Sequence, residues 1–230
     1  MTQRNGVLIT RPAAEAAETA ARIVSLGRTP VIAPMLTICP QPITPPDGLA
    51  AIALTSGNAV AALPASLCHL PVFAVGDVTA ARARAAGFTA LSAGADANAL
   101  AALVLAQAPP GPILLAAGAG RGDALAARLR EAGRVVVSRI AYTAIPATTL
   151  PAEAAAALRT DTLAAALFFS AETARVFMAR VAEAGLLPAL APLRACAIGR
   201  PAAVALQAAP WHEVRLASHP TQEALLAQLP

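Results

Sequence analysis

The sequence predicts an α/β protein made of two doubly wound, parallel-sheet lobes. Three observations support this. Short apolar segments alternate with alanine-rich helical segments along the chain, which is the order of βαβ units. The apolar segments, such as Val7–Ile9 and Val135–Val137, are continuous rather than alternating, as in strands covered on both faces. Similar units also recur in the two halves of the chain.

The first unit of each half has the order strand, helix, glycine, strand. Val7–Ile9 has the length of a short buried strand. Ala13–Leu26 ends before Gly27, a residue common where helices end, and this predicts a helix. A second strand is predicted over 30–34. The same order recurs in the second half at 113–117, about 123–132, Gly133 and 135–137.

Three further features also occur once in each half. In one unit a strand ends in serine and leads into a helix, and in another a strand ends in glycine before a helix. The last helix of each half begins with a capping residue four positions before a leucine. The matching residues are Ser56 and Ser170, Gly76 and Gly199, and Asp96 and Thr221.

Two extended, proline-ended segments, 35–42 and 139–146, follow the first unit of each half. Their prolines favour extended backbone over helix. We predict that the two segments form a two-stranded ladder between the lobes. The residue pattern leaves open whether each lobe is one contiguous half or is assembled from exchanged pieces.

The composition excludes several classes of protein. With 230 residues, 57% of them hydrophobic, the chain can bury a core, so intrinsic disorder is excluded. The mean hydropathy of +0.61 raises the question of a membrane. However, the uncharged stretches 48–76 and 97–120 are interrupted by prolines, and the apolar segment near the start is too short for a signal peptide. We expect a cytoplasmic protein without a membrane span.

All 17 basic residues are arginines. The lack of lysine excludes a lysine Schiff base and a P-loop. The net charge is +4, but the arginines are spread along the chain, whereas a nucleic-acid-binding protein usually clusters them. Arginine binds carboxylates as well as phosphates, so a polyanionic small molecule fits this composition. The alternative is that these arginines keep an apolar protein in solution.

The motifs of metal and nucleophilic catalysis are absent from the sequence. The three cysteines and three histidines have no metal-ligand spacing, and no G-x-S-x-G occurs. The loop Gly118–Asp123 resembles a dinucleotide fingerprint, but Asp123 stands where the third glycine belongs. We therefore expect no NAD site, and NADP bound through Arg139 is a weaker alternative.

In open parallel sheets, ligands bind at the carboxyl ends of the strands, where helix N-termini present free N–H groups. At these positions the sequence has mainly small, hydroxylic, glycine or arginine residues, which suit an anionic ligand. The alternative for each hydroxyl is a helix cap. The candidate binding residues are Arg11, Thr55, Ser56, Gly57, Gly76, Thr79, Arg121, Ser170, Arg200 and Thr221.

The chain resembles the uroporphyrinogen-III synthase family. The similar segments are 8–12, 54–60, 74–80, 139–146 with Tyr142, 197–199 and 220–221, in this order and spacing. The resemblance implies two flavodoxin/Rossmann-like lobes joined by a two-stranded ladder. In this arrangement residues 1–35 and 147–230 form the first lobe, 36–46 and 139–146 the linker strands, and 47–138 the second lobe.

The resemblance also implies a cofactor-independent, metal-free lyase. Such an enzyme closes hydroxymethylbilane, a linear tetrapyrrole with many carboxylates, into uroporphyrinogen III with inversion of ring D and loss of water. The product serves tetrapyrrole biosynthesis (haem, sirohaem, cobalamin or chlorophyll). Further expectations are a monomer and a transient hand-off of substrate from hydroxymethylbilane synthase.

Tyr142, the only tyrosine, corresponds to the family's tyrosine in the linker strand and by implication faces the cleft. We hypothesise that its phenol assists departure of the substrate hydroxyl, and the alternative is a tyrosine that merely packs at the hinge. The sequence departs from the family at Arg200, where threonine is common, so Arg200 is expected to replace a hydroxyl there. Two other functions remain open: a non-catalytic bilobed sensor or carrier of a small anion, and an NADP-dependent oxidoreductase.

Overall fold

A computed structural model describes residues 4–94 and 96–230 of the chain. It divides into two compact units. The first consists of the chain up to Thr37 together with Ile145–Pro230, and the second of Ile38–Ala144. Each unit contains its own β-sheet and its own core. Among the described residues, no helix is both long and apolar enough to cross a bilayer.

The strands and helices alternate along most of the described chain. The strands are β1 (Gly6–Ile9), β2 (Thr29–Ile32), β3 (Leu36–Pro40), β4 (Ala51–Leu54), β5 (Pro71–Ala74), β6 (Thr89–Ser92), β7 (Ile113–Gly118), β8 (Val136–Pro146), β9 (Leu163–Phe168), β10 (Arg194–Ala197) and β11 (Glu213–Leu216). The α-helices are α1 (Ala13–Ser25), α2 (Asp77–Ala85), α3 (Ala97–Gln107), α4 (Asp123–Glu131), α5 (Ala152–Arg159), α6 (Ala171–Glu183), α7 (Arg200–Leu206) and α8 (Gln222–Leu226). Shorter 3₁₀ segments lie at Gly57–Ala62, Ala65–Leu67 and Leu187–Leu190.

The first unit contains a five-stranded sheet in the order β11-β10-β9-β1-β2, and all of these neighbours pair in parallel. The second contains a six-stranded sheet in the order β3-β8-β7-β4-β5-β6, parallel from β8 to β6. The mixed α/β class with two mainly parallel sheets, predicted from the sequence, is therefore confirmed.

Both sheets are covered on both faces. In β1, Val7 and Ile9 pack with Ile23 of α1, whereas Leu8 belongs to the cluster on the other face. In β4, residues 52 and 54 join one cluster and residues 51 and 53 the other. Successive side chains of a strand point to opposite faces, so a doubly covered strand needs apolar residues at every position. This explains the continuous apolar segments of the sequence.

The structure also corrects local details of the sequence prediction. The helices expected over 13–26 and 123–132 end at Ser25 and Glu131, because the next residue is the C-cap in each case. The helix expected after Ser56 is a 3₁₀ segment that ends at Ala62. Leu63 precedes Pro64 and has extended backbone (ψ 128°), as the steric restriction before proline requires, so an α-helix cannot continue there.

The two proline-ended segments are extended, as predicted. Within the second unit β3 neighbours β8 in the sheet, and the Gln41 N–H donates to the Ala141 carbonyl at 2.7 Å. Within the first unit the Ala147 N–H donates to the Met35 carbonyl at 2.9 Å. The chain thus passes from one unit to the other after Thr37 and again after Ala144.

Candidate functional site

The carboxyl ends of four adjacent strands form a polar edge in the second unit. The sheet order places β8, β7, β4 and β5 side by side. Gly118, Thr55 and Gly76 therefore follow one another along this edge, and Tyr142 lies beside Gly118, although its strand β8 continues to Pro146. Neighbouring strands lie about 4.8 Å apart, so the edge from Tyr142 to Gly76 is roughly 14 Å long. We call these strand ends and the loops that follow them the carboxyl edge of the second unit.

Tyr142 lies against the last residue of β7. The register between β7 and β8 shifts by one residue here, so Gly118 pairs with Tyr142 rather than with Ala141. A Cβ atom on Gly118 would lie 2.7 Å from Tyr142 Cζ and 2.9 Å from its Oη, so only glycine fits beneath the ring. Tyr142 is 5% exposed, and the described residues offer its hydroxyl no hydrogen-bond partner. The tyrosine is therefore packed into the sheet edge with its hydroxyl unengaged by protein groups.

Helix starts along this edge fall into two kinds. Ser56 and Asp96 cap the segments that they begin: Ser56 Oγ accepts from the Asn58 N–H at 3.3 Å, and Asp96 accepts from two N–H groups at 2.8 and 2.9 Å. By contrast, α2 and α4 start after Gly76 and Gly122, and no side chain caps either helix. The first N–H groups of a helix have no intrahelical partner. The two glycine-started helices therefore leave backbone donors available to a ligand.

The start of α2 also packs against the Thr55-Ser56-Gly57 turn. Arg82, one turn after the buried Thr79, donates from Nη1 to Asn58 Oδ1 at 3.1 Å. A Cβ atom on Gly57 would lie 2.6 Å from Arg82 Cδ, so the glycine lets the arginine stem cross the turn closely. Sequence reasoning missed Arg82. The signal was its position three residues after Thr79, on the same face of α2.

A small cavity of about 170 Å³ lies between the loop after β7 and the middle of β8. It is lined by Gly118, Arg121, Asp123 and Arg139, among others. Small-molecule pockets usually measure about 300 to 1,000 Å³, so this cavity is too small for a dinucleotide and does not support the NADP alternative. Arg121 is exposed, and no described residue forms an ion pair with it.

The first unit has a corresponding carboxyl edge at the ends of β11, β10, β9 and β1, in that order. Two of its predicted binding residues are helix caps. Ser170 Oγ accepts from the Thr173 N–H at 3.1 Å, and Thr221 Oγ1 accepts from the Ala224 N–H at 3.2 Å. Arg200 is the first residue of α7 and is exposed, without a bonded partner among the described residues.

Arg11, after β1, is held by protein groups on every side. Its Nε and Nη2 atoms donate to Glu15 at 3.3 and 3.1 Å. Its Nη1 donates to Thr19 and Gln222 at 3.0 and 2.9 Å, and its guanidinium lies 4.2 Å from the centre of the Phe169 ring. Each donor nitrogen of Arg11 thus already has an acceptor, so we do not assign it to a ligand. Its predicted role toward a carboxylate stays a prediction.

The predicted residues gather at two edges, one in each unit. The second unit brings together Tyr142, Thr55, Ser56, Gly57, Gly76, Thr79 and Arg121, and the first brings together Arg11, Ser170, Arg200 and Thr221. Sequence reasoning did not single out Arg82, Phe169 or Gln222, and it considered Gly118 only as the first residue of a dinucleotide-like loop. These four residues position the predicted ones. No local pattern marks Gln222, because it reaches Arg11 from 211 positions away.

These features define a class of α/β proteins with two units, each containing a mainly parallel sheet with polar residues at its carboxyl edge. Comparison with family models shows to which family of this class the chain belongs. The model for uroporphyrinogen-III synthase HemD matches residues 17–227. The chain therefore belongs to the uroporphyrinogen-III synthase family, whose members are lyase-type enzymes that act on a small-molecule tetrapyrrole.

Solved structures of this family share the fold. The uroporphyrinogen-III synthetase of Helicobacter pylori has a TM-score of 0.64 and 18% sequence identity, and the match covers 97% of each chain. A mutant uroporphyrinogen III synthase of Thermus thermophilus has a TM-score of 0.54 and 20% identity over 96% of each chain. No curated protein sequence matches the chain. At these identities the structural matches concern the fold alone.

Proposed function

We propose that this protein converts hydroxymethylbilane into uroporphyrinogen III, with inversion of ring D and loss of water. The observation that carries the proposal is the family match over residues 17–227. The polar carboxyl edges of both units support it, because each presents groups suited to a carboxylate-rich substrate.

The glycine-started helices and the unpaired arginines are the groups that bind substrate carboxylates. The first turns of α2 and α4 present uncapped N–H groups. Each of these helices also begins with an aspartate, Asp77 or Asp123, and this negative charge weakens the attraction of the helix end for an anion. The exposed Arg121, two residues before Asp123, offsets it with a charge-assisted donor. In the first unit, Arg200 at the start of α7 is an exposed charge-assisted donor.

Ser56, Ser170 and Thr221 act mainly by shaping the edge. Their side-chain oxygens already accept backbone N–H bonds. The hydroxyls of Ser56 and Thr221 can still donate their protons to a carboxylate, since the cap uses them only as acceptors. Ser170 Oγ also lies 3.1 Å from Thr173 Oγ1, to which it can donate. The backbone geometry that they hold is therefore their main contribution to binding.

Tyr142 protonates the leaving group. As the carbon–oxygen bond breaks, the phenol gives its proton to the departing hydroxyl, which leaves as water, and an azafulvene cation remains. The substituted carbon of ring D attacks this cation to give a spiro intermediate, which fragments and recloses. The pyrrole then loses a proton, and this proton restores the phenol. The hydroxyl of Tyr142, which has no partner among the residues that the structure describes, is free to serve the substrate.

The enzyme determines the isomer by geometry. Without a protein the same cation closes to the unrearranged type I product. We propose that the protein holds the substrate with the substituted carbon of ring D nearer to the cation than the unsubstituted carbon. The oriented reaction at the substituted carbon is then faster than the unrearranged closure. We further propose that the reaction needs no metal or cofactor, that the enzyme acts as a cytoplasmic monomer, and that it receives substrate from hydroxymethylbilane synthase by transient hand-off. These finer points come from the resemblance of the sequence to the family and go beyond the family match itself.

The test is to supply freshly prepared hydroxymethylbilane and to separate the product isomers by chromatography. We expect type III product from the wild-type chain. Only type I product, at the rate seen without protein, would overturn the proposal. Binding of the substrate without turnover would instead identify the protein as a carrier or sensor.

Tyr142→Phe separates the catalytic role from packing. Loss of general acid catalysis lowers turnover by about 10²- to 10⁴-fold. The hydroxyl has no partner among the described residues, so the midpoint of thermal unfolding should stay unchanged. Wild-type turnover in Tyr142→Phe would show that the tyrosine only packs.

A further inference from the structure

A larger cavity, of about 450 Å³, lies on the opposite edge of the first unit's sheet. Its lining includes Arg4, Arg28, Arg194 and His212. These residues stand where the strands begin, whereas Arg11, Ser170, Arg200 and Thr221 follow the ends of the strands. A four-residue strand spans roughly 13 Å. This cavity is therefore separate from the carboxyl edge and plays no part in the function proposed above.

The sheet topology places basic side chains along this edge. In the order β11-β10-β9-β1-β2, four of the five strands begin at or just after a basic residue: His212, Arg194, Arg4 and Arg28. The central strand β9 instead contributes the small Ala164 to the lining. Basic groups on both sides of a small central residue make a concave, positively charged surface.

The charges of this edge are only partly balanced. Arg4 forms two hydrogen bonds to Asp161, at 2.9 and 2.7 Å. Arg194 Nε lies 3.1 Å from Glu213, and this carboxylate also binds Arg215 at 2.6 Å. The two carboxylates thus serve three arginines.

Among the described residues of this cavity, Arg28 has no counter-ion. It is half-buried, and no described residue forms an ion pair or a hydrogen bond with its side chain. The Arg194 Nε atom is buried and makes no aligned hydrogen bond within the described chain, although it lies close to Glu213. Partly buried guanidinium groups usually have hydrogen-bonded acceptors. Arg28 therefore lacks an acceptor that a ligand could supply, whereas Arg194 already donates from Nη1 to the Gln228 carbonyl at 3.1 Å.

We propose that this cavity binds a small multivalent oxyanion, a phosphate ester or a polycarboxylate, with Arg28 as its principal contact and Arg194 and Arg4 as supporting contacts. The guanidinium fork matches both phosphate and carboxylate geometry. The volume lies within the range of about 300 to 1,000 Å³ that small-molecule sites occupy. The end of α1 at Leu26 and Gly27 also lines the cavity, and helix C-termini carry partial negative charge. Binding there must therefore depend on arginine side chains rather than on backbone donors.

The test is isothermal titration calorimetry of the full chain with pyrophosphate and with citrate, at matched ionic strength. Chloride, added as sodium chloride, is the control anion. We expect saturable binding of at least one of the two probes and none of chloride. The probe that binds more tightly distinguishes a phosphate ligand from a carboxylate ligand. Absence of saturable binding by both probes would overturn the proposal.

Arg28→Gln is the diagnostic variant because it removes no side-chain hydrogen bond or ion pair among the described residues. We expect it to weaken binding of the probe roughly tenfold or more, the effect of losing a charge-assisted contact. Arg159→Gln is the matched control, since Arg159 is an exposed arginine of the same unit that does not line the cavity. It should retain the affinity within about twofold. Equal weakening by both variants would reveal a general charge effect or binding elsewhere, and would overturn the proposal.

Discussion

Gly118→Ala tests how closely β7 controls the position of Tyr142. The added methyl would lie 2.7 Å from Tyr142 Cζ, and 2.9 Å from both Cε2 and Oη. The shortest of these contacts is 0.7 Å below the 3.4 Å at which ordinary contacts begin. The backbone of Gly118 does not have a positive φ, so alanine itself is tolerated there and the effect is purely steric. The ring or the strand must therefore move.

The cost follows from overpacking. An extra methyl group in a packed site typically destabilises a protein by about 1 to 3 kcal/mol. For a chain of this size we expect the unfolding midpoint to fall by a few degrees, at about 2 to 4 °C per kcal/mol. Turnover should fall toward that of Tyr142→Phe, because the displaced hydroxyl no longer reaches the leaving group. Thermal unfolding and the isomer assay measure the two effects.

A double variant separates position from packing. In a Tyr142→Phe background, Gly118→Ala should still reduce stability, since the methyl still meets the ring carbons. It should not lower turnover further, because the hydroxyl is already gone. Gly199→Ala serves as the stability control: a Cβ atom there meets nothing nearer than Pro201 Cδ, at 3.8 Å. Wild-type turnover and stability in Gly118→Ala would refute the reasoning.

Three other outcomes are expected. Burial raises the pKa of Cys196 to about 12, so iodoacetamide at about pH 8 should modify this thiol only after unfolding. The free energy of unfolding, measured by urea titration, should also fall as the pH rises above 9.0, because the thiol ionises in the unfolded chain before it ionises in the folded one. The Arg4 guanidinium lowers the pKa of Asp161, so this pair stabilises the fold above the ordinary value of 3.8 and less as the pH falls. Asparagine tolerates the positive φ of 54° at position 161, so Asp161→Asn should lower the unfolding midpoint only slightly at neutral pH. The difference in midpoint between the variant and the wild-type chain should shrink in acid and in high salt, and a difference independent of pH would contradict this. Phe177→Ala should cost about 3 to 5 kcal/mol and change the fluorescence of Trp211, whose ring centre lies 6.1 Å from that of Phe177; a loss below about 1 kcal/mol in urea unfolding would argue against this core.

Much of the fold was predictable because its signals are local. Continuous apolar segments predict doubly covered strands, and the structure places Val7–Ile9 and 113–117 in parallel strands as expected. Glycines and capping residues mark where helices begin and end, so Gly27, Asp96 and Thr221 indicated boundaries that lie within a residue or two of those observed.

The candidate site was predictable only as a set of positions. Strand ends identify the edge at which polar residues gather, since parallel strands all end on the same side. Which groups are free at that edge depends on contacts between distant parts of the chain. The capping role of Ser170 is a local contact that sequence reasoning offered as an alternative, whereas Arg11 is held by Gln222 from 211 positions away, and this contact could not be inferred from local sequence.

The sequence by itself determined the alternation of strands and helices, the two similar halves and the resemblance to the family. The reason is that hydrophobic periodicity, helix-capping residues and the order of the motifs are all properties of the local sequence. Only the tertiary structure decided that Gly118 lies beneath Tyr142 and that Arg28 lines a cavity in which no described residue pairs with it. The physical reason is that these properties depend on register and packing between strands, which bring residues together regardless of their separation in sequence.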